Sequence, residues 1–117
     1  MGINSYTVVN WIGAAVAKQY VIEGPFALTT GTRVQLGSTS RRATEVQVYG
    51  YQSIGTNTIP LANGAACLLS GSAGNMVDSV PAGGMLLIKP QLGSSIDVSS
   101  IYALGTTGDN LYIKYLQ

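Results

Sequence analysis

The sequence contains no histidine and only one cysteine, so it lacks most of the side chains that enzymes and metal sites depend on. Without imidazole there is no Ser-His-Asp or Cys-His nucleophile system, no ordinary general base near neutral pH and no histidine-ligated metal. The single cysteine, Cys67, excludes an intrachain disulfide and a thiolate metal cage. It lies in the apolar run 65–69, which favours a buried structural thiol.

Motifs that bind phosphate or activate a serine are also missing. There is no P-loop and no Gly-x-Gly-x-x-Gly pattern, and residues 70–74 lack the Gly-x-Ser-x-Gly spacing of a nucleophile elbow. We therefore predict that the protein is not an enzyme and that it has no cofactor and no metal.

Five acidic residues remain, each in or beside turn-type sequence: Glu23, Glu45, Asp78, Asp97 and Asp109. Asp97 is predicted to lie in a loop. Asp109 follows a glycine and precedes a strand, where its carboxylate can accept hydrogen bonds from turn amides. A catalytic pair of carboxylates, or calcium bound by Asp78, Asp97 or Asp109, remains open as a weaker alternative.

Charge is scarce. Only 9% of the residues are charged, against about 25% in an average soluble domain. Such a surface is either polar through Ser, Thr, Asn and Gln or covered by partners. The net charge of +1 opposes nucleic-acid binding, which needs a concentrated basic face. The only adjacent basic residues are Arg41 and Arg42, and a solvated turn explains them.

Long apolar runs are missing near the N-terminus. The longest run there, residues 11–17, is too short for a membrane helix. Residues 1–5 do not provide the basic region that precedes a signal core. We therefore expect synthesis in the cytoplasm, with neither processing nor a membrane partner.

Glycine and turn residues, in contrast, are abundant. Fifteen glycines disfavour long helices, and turn signals recur at short intervals between runs rich in Val, Ile, Leu and Tyr. Many short strands separated by turns predict an all-β fold, namely a single antiparallel β-sandwich that is either jelly-roll-like or immunoglobulin-like. We assign residues 27–117 to this domain.

Alternating side chains give the clearest strand predictions. In residues 44–51 two valines alternate with polar and aromatic side chains, so the valines should face the core while Tyr49 and Tyr51 share the other face. Residues 111–116 alternate in the same way. The continuous apolar run in residues 84–89 predicts a central strand. Further strands are predicted over residues 6–11, 20–23, 32–36 and 101–104.

The N-terminal segment is the one place with helical spacing. Alanine-rich residues 9–20 would suit a helix, but Gly13 and the β-branched neighbours weaken it. A strand or an extended arm is favoured, and we assign residues 1–26 to an N-terminal arm or added strand. Trp11 in this segment is either a core side chain or an anchor on a neighbouring subunit.

Several segments together resemble a known group of proteins. Residues 81–88 place a Pro-Ala-Gly-Gly turn before an apolar strand, and residues 96–115 contain Ile-Tyr-x-x-Gly-x-x-Gly-Asp followed by an alternating strand. Residues 28–36 and 42–48 match the opening strands. Over residues 27–117 the chain resembles a β-sandwich module found in small structural proteins of tailed bacteriophages.

The resemblance implies a virion structural protein, in particular a capsid decoration (cement) protein. Such a protein would be made in the host cytoplasm, bind the outer surface of the major capsid shell and reinforce it, with the major capsid protein and sister subunits as partners and a homotrimer as the favoured assembly. The N-terminal arm would reach a neighbour by β-augmentation. The residues predicted to make these contacts are aromatic or basic: Trp11, Tyr20, Arg41, Arg42, Tyr49 and Tyr51.

Two other functions stay open. The first is a receptor-binding or glycan-binding module of a tail fibre or adhesin, since tyrosines and loops rich in Asn and Thr suit sugar stacking. The second is a weak glycan hydrolase that would use the carboxylates.

Overall fold

The computed structural model describes residues 20–37, 40–55, 59–71 and 76–117, and within these ranges the protein is nearly all β. The all-β prediction is therefore confirmed. The strand predicted over residues 6–11, Trp11, and all of the predicted arm before Tyr20 lie outside the described residues. The described remainder of residues 1–26 belongs to the first strand, β1.

The strands are short and joined mostly by turns. They are β1 (Tyr20–Ala27), β2 (Val34–Gln35), β3 (Arg42–Ala43), β4 (Glu45–Tyr49), β5 (Tyr51–Ser53), β6 (Leu61–Ala62), β7 (Cys67–Ser70), β8 (Met76–Val80), β9 (Met85–Ile88), β10 (Ile96–Asp97), β11 (Tyr102–Leu104) and β12 (Asn110–Leu116). A 3-10 helix, Val98–Ser100, lies between β10 and β11. No helix in the described ranges is long and apolar enough to cross a membrane.

Eight of these strands form two four-stranded antiparallel sheets. The first sheet has the order β1-β12-β4-β9 and the second β2-β11-β7-β8. β1 pairs with β12, β2 with β11, β4 with β9 and β7 with β8, so the chain pairs its beginning with its end as one long hairpin rolled into two layers. This is the connectivity of a jelly roll, and the immunoglobulin-like alternative is not formed.

The core lies between the inner sides of the two sheets. The alternation predicted for β4 and β12 is confirmed, because Val46, Val48, Leu111 and Ile113 are fully buried. The buried apolar cluster also includes Leu28, Leu36, Ala43, Cys67, Leu69, Val80, Val98, Ile101, Ala103 and Tyr115. Cys67 is buried as predicted, and that burial raises the pKa of its thiol to about 11.

β1 lies close against β12 because of one glycine. Gly24 has a φ of 135°, in the region that favours glycine, and a Cβ there would lie 2.9 Å from the carbonyl oxygen of Leu111. The pairing register shifts at this point, between Glu23 and Phe26. Next to the shift, the hydroxyl of buried Tyr115 donates to Oε2 of Glu23 at 2.7 Å, which satisfies the phenol in the core.

The apolar run in residues 84–89 forms β9, but the prediction that it is a central strand is wrong. Among the described strands, β9 lies at the edge of the first sheet. Leu86 and Ile88 pack against the core, whereas Met85 and Leu87 are exposed on the opposite side. An apolar run has no alternation that would mark one side as exposed, so periodicity alone could not reveal this.

The prediction of one uninterrupted strand over residues 44–51 is also wrong. The ladder breaks at Gly50, between β4 and β5. The Gly50 amide donates to the carbonyl of Gly84 at 2.9 Å, and its own carbonyl accepts from the amides of Gly83 and Asn63. The backbone at Gly50 is therefore bonded to two turns instead of to the neighbouring strand.

Asp109 confirms the prediction that its carboxylate bonds turn amides. The side chain is 5% exposed and accepts from the amides of Gly64 at 2.9 Å and Ala65 at 3.2 Å, and from Nε2 of Gln52 at 3.1 Å. Next to it, Asn63 exchanges two hydrogen bonds with the backbone of Asn110, and the Asn110 side chain donates to the carbonyl of Gln52. We call Gln52, Asn63, Asp109 and Asn110 the polar clasp.

Asp97 lies in β10 rather than in a loop, so that prediction is wrong. It caps the 3-10 helix by accepting from the amide of Ser99 at 3.0 Å, and it also accepts from the Ser40 hydroxyl and the Arg41 amide. The hydrogen bond from Ser40 is the main cause that lowers the pKa of Asp97 to about 2, with the bonds from Ser99 and Arg41 acting in the same direction.

This carboxylate predicts a specific acid sensitivity. The pKa of Asp97 is lower in the folded state than its ordinary value of 3.8, so the ionised carboxylate stabilises the fold at pH values above 3.8. We expect this contribution to fall as the pH drops from about 4 to about 2. Urea unfolding of the wild type and of Asp97→Asn should show that the variant loses less stability over this interval. Parallel pH profiles for the two proteins would contradict the assignment.

Candidate interaction surface

The side of the first sheet that faces away from the core has an unusual mixture of side chains. Directly paired residues of antiparallel strands lie on the same side of a sheet, so the register identifies which residues share this side. We call the set the outer face: Tyr20 and Ile22 of β1, Tyr112, Lys114 and Leu116 of β12, Glu45, Gln47 and Tyr49 of β4, and Met85 and Leu87 of β9.

Apolar side chains are exposed at both edges of the outer face. Ile22, on the β1 edge, is 65% exposed, and Tyr20 lies beside it. Met85 and Leu87, on the β9 edge, are also exposed. Single exposed apolar residues are common on proteins, whereas several on one face of a sheet are a feature of surfaces that contact other molecules.

Polar side chains cross the centre of the outer face in a chain of hydrogen bonds. Tyr20 donates from its hydroxyl to Oε2 of Glu45 at 3.1 Å, Gln47 donates to the same oxygen at 2.9 Å, and Tyr49 donates to Oε1 of Gln47. The hydrogen bond from Gln47 is the main cause that lowers the pKa of Glu45, and the bond to Glu45 raises the pKa of Tyr20. Lys114 lies over the Tyr20 ring, 4.6 Å from its centroid.

At one end of the outer face lies a depression of about 280 Å³. We call it the anchor depression, and its lining is mainly aromatic and apolar: Tyr49, Tyr51, Ile54, Pro60, Gly84 and Met85. The Tyr51 hydroxyl donates to the carbonyl of Gly83 at 3.0 Å, which fixes one side of the depression. The break at Gly50 brings Tyr51 off the β4 ladder and into this lining.

Two further exposed aliphatic residues lie in the segment that enters and forms β6. Ile59 is 90% exposed, and Leu61 is exposed too. They flank Pro60, which lines the anchor depression. The apolar surface therefore continues from the β9 edge of the sheet onto this loop.

The predicted contact residues fall in different places. Tyr20 and Tyr49 lie on the outer face, and Tyr49 and Tyr51 both line the anchor depression. Arg41 and Arg42 are exposed at the short β3–β10 ladder, in which the backbone of Arg42 lies opposite that of Asp97. They therefore do not belong to the outer face. The structure brings the tyrosines together and leaves the arginines apart from them.

Several residues of this surface were missed by sequence reasoning. Ile22, Met85 and Leu87 were assigned to strands without a prediction that they are exposed, and Ile54 and Ile59 attracted no prediction at all. Distant pairing partners determine which side of β1 and β9 faces away from the core, and the apolar run 85–88 has no alternation that marks it. For Ile54 the available signal was its place among turn-type residues 53–57, where an aliphatic side chain is unusual.

The acidic side chains that suggested metal or catalytic alternatives have structural hydrogen bonds. Asp97 and Asp109 accept from backbone amides as described, and Asp78 accepts from the Ser79 amide at 2.8 Å. Within the described part of the chain, no three His, Cys, Asp or Glu side chains are grouped so as to hold a metal ion.

Comparison of the chain with known protein families, with curated proteins and with solved structures finds no match. The outer face and the anchor depression are the features from which a function can be argued.

Proposed function

We propose that the protein is a virion structural protein, a capsid decoration protein that binds the outer surface of the major capsid shell and reinforces it. The observation that supports this most is the outer face, where apolar side chains are exposed on both edge strands of one sheet, beside the tyrosines of β1 and β4. Tyrosine and methionine are enriched at protein interfaces. The partners in this proposal are the major capsid protein and sister subunits in a homotrimer.

Two other properties agree with this proposal. Low charge suits a surface that is covered in an assembly, and jelly rolls occur in viral capsid and lectin domains. The second point is an analogy at the level of the fold, which does not determine function. The resemblance of residues 27–117 to tailed-phage structural proteins gives the more specific support.

We predict that Leu87→Glu weakens shell binding at least tenfold, because a carboxylate on the β9 edge would have to be dehydrated against the shell. The test is cosedimentation of purified protein with expanded, undecorated shells of the major capsid protein from the same genome. Leu68→Glu is the matched control. Leu68 is 42% exposed and Leu87 48%, but Leu68 lies in β7 of the other sheet.

The outcomes separate clearly. Wild-type binding at micromolar concentration, lost in Leu87→Glu and kept in Leu68→Glu, supports the proposal. Failure of the wild type to bind such shells at that concentration refutes it. Equal binding by both variants would show that the outer face is not the contact.

The hydrogen-bonded side chains of the outer face favour glycan binding as a second candidate function. Glu45 and Gln47 provide donors and acceptors between the rings of Tyr20 and Tyr49, and sugar recognition uses such polar groups beside aromatic faces. A glycan array tests this candidate. A bound glycan that is lost in Gln47→Ala but retained in Leu87→Glu would support it over shell binding.

A further inference from the structure

The anchor depression has a lining that suits one large aromatic side chain. Tyr49 and Tyr51 supply two rings and Met85 supplies a thioether, around a volume of about 280 Å³. Aromatic rings pair favourably with one another and with sulfur. Residues that dominate interface energies are enriched in tryptophan, and they lie in such pockets.

The chain has one tryptophan, Trp11, nine positions before Tyr20. Tyr20 begins β1 beside Leu116, which in turn pairs with Glu45, at the end of the outer face opposite the anchor depression. From Tyr20 to Tyr49 there are two strand spacings across the sheet and four residues along β4, which is roughly 16 Å.

The direction of β1 favours the depression of another molecule. β1 and β4 are both antiparallel to β12, so both run toward the end of the sheet where the depression lies. Toward the N-terminus, β1 therefore points away from the end of the sheet where the depression lies. Nine residues span at most about 30 Å, and a reversal of direction plus the return of roughly 16 Å would use most of that length.

We infer that Trp11 of one copy binds in the anchor depression of a second copy of this chain. The donor segment and the acceptor depression are different surfaces, so the contact is heterologous and closes a ring when the rotation permits. A closed ring of three would be the trimer in the proposed function. The contact joins sister subunits and does not depend on binding to a capsid.

The absence of any other tryptophan makes the test direct. Trp11→Ala has an intact depression and no tryptophan, and Met85→Glu retains Trp11 with a blocked depression. Titrating Trp11→Ala into Met85→Glu should shift tryptophan emission to shorter wavelength and lower acrylamide quenching several-fold. Light scattering should show a one-to-one complex. The wild type should form an oligomer that dissociates on dilution. Dilution should then shift its tryptophan emission to longer wavelength and increase acrylamide quenching.

Leu87→Glu is the matched control. It lies on the same strand and the same face as Met85 with similar exposure, but it does not line the depression. It should assemble like the wild type even where shell binding is lost, so failure of the capsid proposal and failure of this inference are distinguishable.

Three results would overturn the inference. The first is unchanged tryptophan emission of Met85→Glu when Trp11→Ala is added. The second is wild-type tryptophan that is protected from acrylamide at every protein concentration. The third is a wild type that is monomeric at high micromolar concentration. Far-UV circular dichroism confirms folding of each variant. If Met85→Glu does not fold, Ile54→Glu, exposed and in the same lining, replaces it.

Discussion

Replacing Asp109 by alanine is expected to lower the free energy of unfolding by about 3 kcal/mol. The carboxylate accepts from the amides of Gly64 and Ala65 and from Gln52, and it is almost completely buried. Its removal leaves those donors without their acceptor, and all three hydrogen bonds are part-buried. For a domain of this size the change corresponds to a fall in Tm of roughly 10 °C.

Urea unfolding followed by circular dichroism measures this change. Asp78→Ala is the control, since Asp78 is exposed and accepts from the adjacent Ser79 amide. Its cost should stay within about 0.5 kcal/mol. Equal effects of the two substitutions would show that the polar clasp does not hold the loops together.

The inner faces of the sandwich were predictable because their signal is local. A strand has a side-chain period of two, so the alternation in residues 44–51 and 111–116 identified the buried valines and the buried face of β12 without any knowledge of partners. That the Asp109 carboxylate bonds turn amides was also predictable from its position after a glycine. Its partners were not, because the amides of Gly64 and Ala65 are 45 and 44 residues away in the sequence.

The outer face depended on information that the local sequence does not contain. Met85 and Leu87 are exposed because they lie on the side of the first sheet that faces away from the core, and the pairing of β9 with β4 determines which side that is. The break at Gly50 depends on the Pro81–Gly84 turn, which is distant in sequence. Aromatic residues were therefore identified as contacts, whereas aliphatic ones were assumed to be buried.

Under the proposed function, stability and binding depend on different residues. The polar clasp joins turns and the start of β12, while the outer face consists of side chains whose exposed ends do not enter the core. Substitutions such as Leu87→Glu should therefore alter binding with little change in unfolding free energy. Changes in the polar clasp should lower the free energy of unfolding with little change in binding.

Gly50→Ala is expected to produce the second large loss of stability, about 3 kcal/mol. A Cβ at this position would overlap the carbonyl oxygen of Pro81, a backbone atom that cannot rotate away. The turn would have to move, and the hydrogen bonds of Gly50 with Gly83 and Gly84 would lengthen. Since Tyr51 donates to the carbonyl of Gly83, the anchor depression should also change shape.

Gly64→Ala is the matched control, because a Cβ there would meet only the Asp109 carboxylate at 3.7 Å, an ordinary contact. Restricting the unfolded chain should make that substitution neutral or slightly stabilising. Urea unfolding compares the stability of the two variants. The shift in Trp11 emission on assembly shows whether the anchor depression still binds Trp11. A Gly50→Ala protein with wild-type stability would mean that the Pro81 turn moves freely. The step between β4 and β5 would then not be what positions Tyr51.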